Sequence, residues 1–523
     1  MLLRRIAQRL LGLLLVIALA AGPAPLSAQS SAALPGLGDG TTLSPAAERR
    51  LGDSIVRHLY RDPDYLPDLI LMDYVQSLWQ PLLEAARQRG EALSEPEDAN
   101  AWEILLSRDR TVNAFALPGG YMGLHLGLVG AAQSRAELAS VLAHELTHVT
   151  QRHIARNMAR QNAMGPWVMG ALVLGVLAAS KGADNAQGAN AAIVGSQALA
   201  VQSQLNYSRD MEREADRIGF AVLQDAGFSP QGFVDMFAVL QQSGRLTDGG
   251  GFPYLRSHPL TTERMADMQS RIGVDAPVQH TSRQTPDPAE DWVPRLMAAR
   301  AKVLAQPDPQ VLAVWFAQAR DESLASQPPA QQAVVLYGAT LAAMQVRDWP
   351  LAVSTFGRLF ERCRGNPAAL EQARWLGAEL GLAVGDTARA LSLLAVPQAT
   401  GKSPSRTQVL LTAQARIRSG APAQVVGDLR LWLADHPRDA GAWRVVSQAY
   451  AALGNQVAAV RAEGEISALE QDPAAALDRM RAAQDLARAG KWGPSGPDYV
   501  EASIVDSRAR TLAALVRQQA LER

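Results

Sequence analysis

The chain has 523 residues, 48% of them hydrophobic, and a formal net charge of −1. That length exceeds one ordinary domain and that balance excludes a disordered chain, so two or three folded units are expected. Near-neutrality gives no general electrostatic drive toward nucleic acid, and no nucleic-acid partner is expected. The single cysteine, Cys363, excludes an intramolecular disulfide and a Cys-based zinc site.

Residues 1–28 have the three parts of a secretory signal peptide. Arg4, Arg5 and Arg9 form a basic start, Leu10 to Ala21 is uncharged and apolar, and Leu26-Ser27-Ala28 offers a cleavage site before Gln29. An uncleaved anchor is the alternative, but the run is short against the roughly 20 residues of a membrane span. No Cys follows the run, which excludes a lipoprotein. In a Gram-negative cell the mature chain would be periplasmic.

The segment 43–275 reads as the chemical part of the chain. Ala46 to Tyr60 and Leu66 to Arg89 are expected helices. Trp102 to Leu106 and Thr111 to Leu117 have the short apolar and β-branched runs of strands. Pro118-Gly119-Gly120 is a turn, and Tyr121 to Leu126 resumes an extended pattern. Ser134 to Met158 is expected as one long helix. Met164 to Ser203 is rich in Ala, Gly and Val. Its apolar part is short, and Gly165, Pro166, Gly170 and Gly175 interrupt it. A mobile or amphipathic helical hairpin near the active site is expected there rather than a span, and peripheral membrane contact through 164–203 stays open.

Within the long helix lies His144-Glu145-Leu146-Thr147-His148. Histidines four apart share one helix face, one turn apart, and can grip one metal. Glu145 beside them can take a proton from water activated by zinc and deliver it to the leaving amine. Val141, Leu142, Ala143 and Leu146 bury this helix, where two His and a Glu would be costly without a metal or partners. His153, five residues on, reads as a surface or internally satisfied histidine. A catalytic zinc needs a third ligand and an open position. Glu212 and Asp216 are four apart on a later helix, while Glu214 faces elsewhere. Glu212 can ligate zinc, and Asp216 can accept a hydrogen bond from a ligand histidine. A charged, solvated helix face is the alternative.

Residues 276–290 hold Pro277, Pro286 and Pro288 in polar surroundings and read as a linker, which implies two modular parts. From 291 to 523, helical patterns alternate with short turns at a spacing near 34 residues. Tyr337-Gly338, Trp375-Leu376-Gly377, and Trp443 with Tyr450 and Gly454 mark small residues at helix crossings. A tetratricopeptide-like solenoid is expected, with a generic helical bundle as the alternative.

His144, Glu145, His148, Glu212 and Asp216 together resemble the M48 peptidases, whose pattern is HExxH followed by Glu-x-x-x-Asp on a later helix. The stretch from Asn113 to Tyr121 is similar to that family's strand before the active-site helix. The resemblance covers about Leu43 to Gly273. Membrane-embedded relatives carry clear spans, and this chain departs from them. The resemblance implies a mainly α protein: a zincin-like α+β metalloprotease domain with a small sheet, followed by the helical solenoid. It implies one Zn²⁺ held by His144, His148 and Glu212, with Glu145 and Asp216 as catalytic groups. It also implies that Asn113, Ala114, Phe115 and Ala116 border the cleft. An exposed edge there can pair with extended substrate backbone; an ordinary core strand is the alternative.

His258, in Ser257-His258-Pro259, can take zinc's open position, or stabilise the tetrahedral intermediate together with Arg264; otherwise it is a loop residue. Signal peptide, protease domain and repeats in one chain are similar in architecture to periplasmic quality-control proteases. The clients so implied are misfolded or stalled outer-membrane β-barrel proteins, and the repeats would recruit clients or the outer-membrane assembly machinery. The competing expectation is a chaperone or assembly scaffold in which the repeats carry the main role.

Overall fold

The computed structural model describes residues 43–91, 100–160, 208–245, 253–274, 291–395, 404–494 and 496–521. The signal peptide expected over 1–28, the Met164–Ser203 segment and the linker over 276–290 lie outside the described residues. Among the described residues two helices come first, α1 (Pro45–Tyr60) and α2 (Leu69–Gln88). Each starts on a side-chain cap: Ser44 accepts from the Ala47 amide and Asp68 from the Leu71 amide. One face of α2, including Ile70, Val75, Leu78 and Leu82, is fully buried.

A three-stranded sheet follows. β1 (Glu103–Ser107) pairs in parallel with β3 (Tyr121–His125), and β3 pairs antiparallel with β2 (Ala114–Leu117). The order β1-β3-β2 leaves β2 at an edge. Phe115 lies over Gly123, where a Cβ would stand 2.2 Å from the Phe115 ring.

A short helix, α3 (Leu126–Ala131), leads to the central helix α4 (Arg135–Thr150), in which every residue from Glu137 to Val149 is buried. The single helix expected over Ser134 to Met158 is in fact two. α4 ends at Thr150, Arg152 turns left-handed with φ 51°, and α5 (His153–Arg160) starts after it. Helices α6 (Arg209–Asp225), α7 (Gln231–Arg245), α8 (Pro253–Ser257) and α9 (Thr262–Val274) complete this part.

Among the described residues the second part has helices and no strand: α10 (Val293–Ala305), α11 (Pro309–Arg320), α12 (Pro329–Gln345), α13 (Trp349–Cys363), α14 (Pro367–Val384), α15 (Thr387–Leu394), α16 (Arg406–Arg418), α17 (Pro422–Asp435), α18 (Ala440–Ala452), α19 (Gln456–Leu469), α20 (Pro473–Arg488) and α21 (Tyr499–Leu521). From α12 on, consecutive helices pack as hairpins, each against the next. Asp348, Asn366, Asp386, Ser405, Asp439, Asn455 and Asp472 cap α13, α14, α15, α16, α18, α19 and α20. Small residues at the crossings have a steric cause: a Cβ on Gly377 would stand 2.3 Å from the Phe356 ring.

The two parts are not modular in their packing. One cluster of buried apolar residues runs from Leu66 through Leu142, Leu296 and Leu336 to Ala415. Inside the junction, Arg300 of α10 is 3% exposed and bonds Asp68, the cap of α2, at 2.8 and 2.7 Å. The same guanidinium bonds Glu379 of α14 through two contacts of 2.8 Å. Farther along, the Thr407 amide donates to Asp73 at 2.9 Å, and Arg61 pairs with Asp472. A polar linker sequence says nothing about surfaces that meet elsewhere, so this interface was hidden from sequence.

Candidate active site

The HExxH residues sit on the buried middle of α4. The Nε2 atoms of His144 and His148 are 3.0 Å apart. Helix α6 lies across α4 and brings Glu212 and Asp216, one turn apart, onto the same place. The crossing is close because Gly219 faces the α4 backbone, where a Cβ would stand 3.1 Å from the Ala143 carbonyl oxygen. Glu212 then places one carboxylate oxygen 3.5 Å from His144 Nε2 and the other 3.5 Å from His148 Nε2. His258 enters from the bend after α8. Its Nδ1 lies 3.0 Å from Glu212 Oε1 and 3.3 Å from His144 Nε2.

His144, His148, Glu212 and His258 form a buried group able to hold a metal ion. Their separations of 3.0 to 3.5 Å test the fit to zinc. Four N and O ligands at about 2.0–2.1 Å from a tetrahedral zinc stand roughly 3.3 Å from one another. Glu145 adds a second observation. Its Oε2 accepts from the Ala116 amide at 3.0 Å, while Oε1 is buried, accepts no hydrogen bond, and lies 3.4 Å from His258 Nε2. Burial raises the Glu145 pKa, against the opposing pull of His258 and His144. A carboxylate oxygen held bare beside a group of ligand atoms fits a proton acceptor at a metal centre.

The surroundings orient these side chains. Asp216 Oδ1 lies 3.0 Å from His144 Nδ1, which leaves Nε2 for the metal side. Arg264 of α9 donates to both Asp216 oxygens at 2.6 and 2.7 Å and to the Pro259 carbonyl at 3.0 Å. It also pairs with Glu212 Oε2 at 2.8 Å. Burial alone would raise the Asp216 pKa, but the guanidinium brings it below the ordinary aspartate value. His258 stacks on Tyr254, with ring centroids 4.7 Å apart and planes 27° apart.

The residues singled out from sequence thus converge, with two differences. Of the edge residues, Ala116 bonds the site directly; the Asn113 carbonyl accepts from the His125 amide at 3.0 Å, and Ala114 and Phe115 lie in the sheet. Arg264, one candidate for supporting the tetrahedral intermediate with His258, has its guanidinium engaged by Asp216, Glu212 and the Pro259 carbonyl.

His153, read from the sequence as a surface or internally satisfied histidine, is of the second kind. His153 is fully buried, and its Nδ1 lies 2.8 Å from His148 Nδ1. Its Nε2 lies 3.1 Å from Glu214 Oε2, which also accepts from Arg156 at 2.9 Å. Burial pushes the His153 pKa down to about 4, partly offset by Glu214. On a continuous helix a residue five positions after His148 points about 140° away. The left-handed Arg152 cancels that rotation, at a cost of about 1–2 kcal/mol for a residue with a Cβ. No local sequence signal marks the turn, because it is held by Glu48 at 3.0 Å and by the Leu43 carbonyl, far off in sequence.

Comparison with known proteins agrees with this geometry. Residues 76–272 match the model of peptidase family M48. The beta-barrel assembly-enhancing protease of Escherichia coli K12 is 30% identical over 489 residues, covering 91% of this chain and 92% of that protein. A Vibrio cholerae relative of corresponding description is 30% identical over 513 residues, covering 96% of this chain and 98% of its own length. The mitochondrial metalloendopeptidase OMA1 of Saccharomyces cerevisiae is 27% identical over 199 residues, 37% of this chain and 54% of that protein. A group built to hold a metal, a bare glutamate beside it and similarity along nearly the whole chain lead to one assignment: this chain belongs to the M48 family and is a zinc metalloendopeptidase.

Proposed function

We propose that this protein is a periplasmic zinc endopeptidase acting in the quality control and assembly of outer-membrane proteins. The observation that carries the reading is the group of His144, His148 and Glu212 set against the bare oxygen of Glu145. Two relatives covered over nine-tenths of their length carry names that refer to β-barrel assembly. Among the described residues no helix is long and apolar enough to cross a membrane.

In this reading the peptidase part spans 43–275, a linker 276–290, and tetratricopeptide-like repeats 291–523. His144, His148 and Glu212 would hold the zinc. When bound, zinc supplies a Lewis acid that polarises a carbonyl and lowers the pKa of water toward about 7. Glu145 Oε1 takes the proton of the attacking water and returns it to the leaving amine. The Ala116 amide holds Glu145 in place, and the β2 edge lays extended substrate alongside it. Asp216 fixes the His144 proton on Nδ1, and Arg264 supports both Asp216 and Glu212. His258, whose Nδ1 stands beside Glu212 and His144, would serve as a further ligand that restrains the resting enzyme; as the alternative it stabilises the transition state. The repeats bring misfolded or stalled β-barrel proteins, or the assembly machinery, to the site.

The test is substrate trapping with the Glu145→Gln protein in cells. Outer-membrane β-barrel proteins should co-purify with it and be cleaved by the unaltered enzyme. If Glu145→Gln retains all function in cells while repeat-surface variants lose it, the scaffold reading replaces this one.

A further inference from the structure

His148 turns Nε2 toward His144 Nε2, 3.0 Å away, and toward Glu212 Oε1, 3.5 Å away. Its other nitrogen faces His153, with Nδ1 to Nδ1 at 2.8 Å. A neutral imidazole whose Nε2 lone pair binds a metal carries its proton on Nδ1. Two nitrogens in such contact share one proton, so the His148 Nδ1–H donates and His153 Nδ1 accepts. The His153 proton then sits on Nε2, which lies 3.1 Å from Glu214 Oε2. Arg156, 2.9 Å from that same oxygen, keeps the carboxylate an acceptor. The donors and acceptors alternate without conflict from Arg156 to His148.

The backbone is a second, independent observation. His153 reaches His148 only because the chain breaks the helix at Arg152, in a left-handed conformation that a residue with a Cβ rarely adopts. Arg152 is held there by Glu48 and the Leu43 carbonyl. Burial is graded along the row: His148 and His153 are fully enclosed, while the Glu214 and Arg156 side chains are 28% and 41% exposed. The row therefore connects the metal-binding group to the protein surface.

We propose that His153, oriented by Glu214, is a positioning residue that fixes which nitrogen of His148 carries the proton, and so presents His148 Nε2 to zinc. This rests on the reading of His148 as a ligand. It makes the two ligand histidines of α4 differ in support: His144 leans directly on Asp216, whereas His148 leans on a carboxylate through an intervening ring. A weaker, longer support reaching the surface makes His148 the ligand more sensitive to remote change.

The experiment measures zinc affinity of the purified full chain by competition with a chromophoric chelator, and the visible spectrum of the cobalt-substituted protein. His153→Leu removes the acceptor and should weaken zinc binding roughly 10–100-fold and shift the cobalt bands. His153→Asn places an oxygen near the position of Nδ1 and should recover most of that loss. Glu214→Gln should weaken binding less than His153→Leu. A merely structural histidine would lower the melting temperature in Leu and Asn variants alike and leave zinc affinity and the cobalt bands unchanged. That result overturns the proposal, as does an Asn variant no better than Leu. His148→Ala separates the two readings: if it retains zinc, the ligand assignment has failed, whereas loss of zinc there with unchanged affinity in His153→Leu removes the positioning role alone. Should His153→Leu fail to fold, Glu214→Gln decides at the partly exposed end, where unchanged affinity and an unchanged cobalt spectrum overturn the proposal.

Discussion

Arg300→Met cuts the junction between the peptidase part and the repeats at one atom group. The guanidinium makes four contacts of 2.7 to 2.8 Å, two to Asp68 and two to Glu379. Arg300 and Asp68 are 3% and 8% exposed, and Glu379 is 21% exposed. Removing one member of a buried ionic group leaves uncompensated charge and costs about 3–5 kcal/mol. Asp68 keeps its bond from the Leu71 amide, and Glu379 has some access to water, which favours the lower end, about 3 kcal/mol. For a cooperative unit of 150–250 residues that corresponds to a fall in Tm of roughly 6–12 °C. Differential scanning calorimetry should show both parts shifting together, because the triad joins α2 to α14. Combining Arg300→Met with Asp68→Asn and Glu379→Gln removes all three charges and should recover much of the loss, since neutral replacement of a buried ion group is often tolerated. A Tm within 2 °C of the parent for Arg300→Met, or a triple variant less stable than the single, would refute the reasoning.

Truncation after Glu290 should yield insoluble or aggregating protein rather than a soluble peptidase, because it exposes the apolar surface that packs on α10; a monodisperse fragment in gel filtration would contradict this. Glu212→Gln should lose zinc far more readily than Glu214→Gln when dialysed against chelator, and equal retention would remove Glu212 from the ligand set. Asp216→Ala should lower activity about 10–100-fold with milder zinc loss, read by peptide cleavage at saturating zinc. His258→Ala should raise basal proteolysis, including self-cleavage seen on gels. Lower turnover with retained zinc would instead place His258 at the transition state.

The zinc-binding helix was legible in the sequence because its information is local. A spacing of four puts His144 with His148, and Glu212 with Asp216, on single helix faces whatever the rest of the chain does. The helical hairpins of the second part were legible for the same reason, since the turns and small residues that mark them are neighbours of their helices in sequence. Apolar flanks announced that α4 is buried. What only the tertiary structure decided is which of these faces meet. His258 reaches Glu212 across 46 residues and His144 across 114, by way of a bend that no periodicity describes. Arg264 looked like a candidate for the reacting carbonyl, and the packing of α9 on α6 gave its guanidinium to Asp216 and Glu212 instead. Whether His153 was a surface or an internally satisfied histidine was open in the sequence, because helical periodicity holds only while φ stays helical, and one left-handed residue at 152 ended it. Arg300 finds Asp68 from 232 residues away, inside an interface between two parts that a polar linker had made look separate. Local spacing sets what a segment can present; the contacts that choose its partners come from distant parts of the chain, and their sum appears only when the core closes.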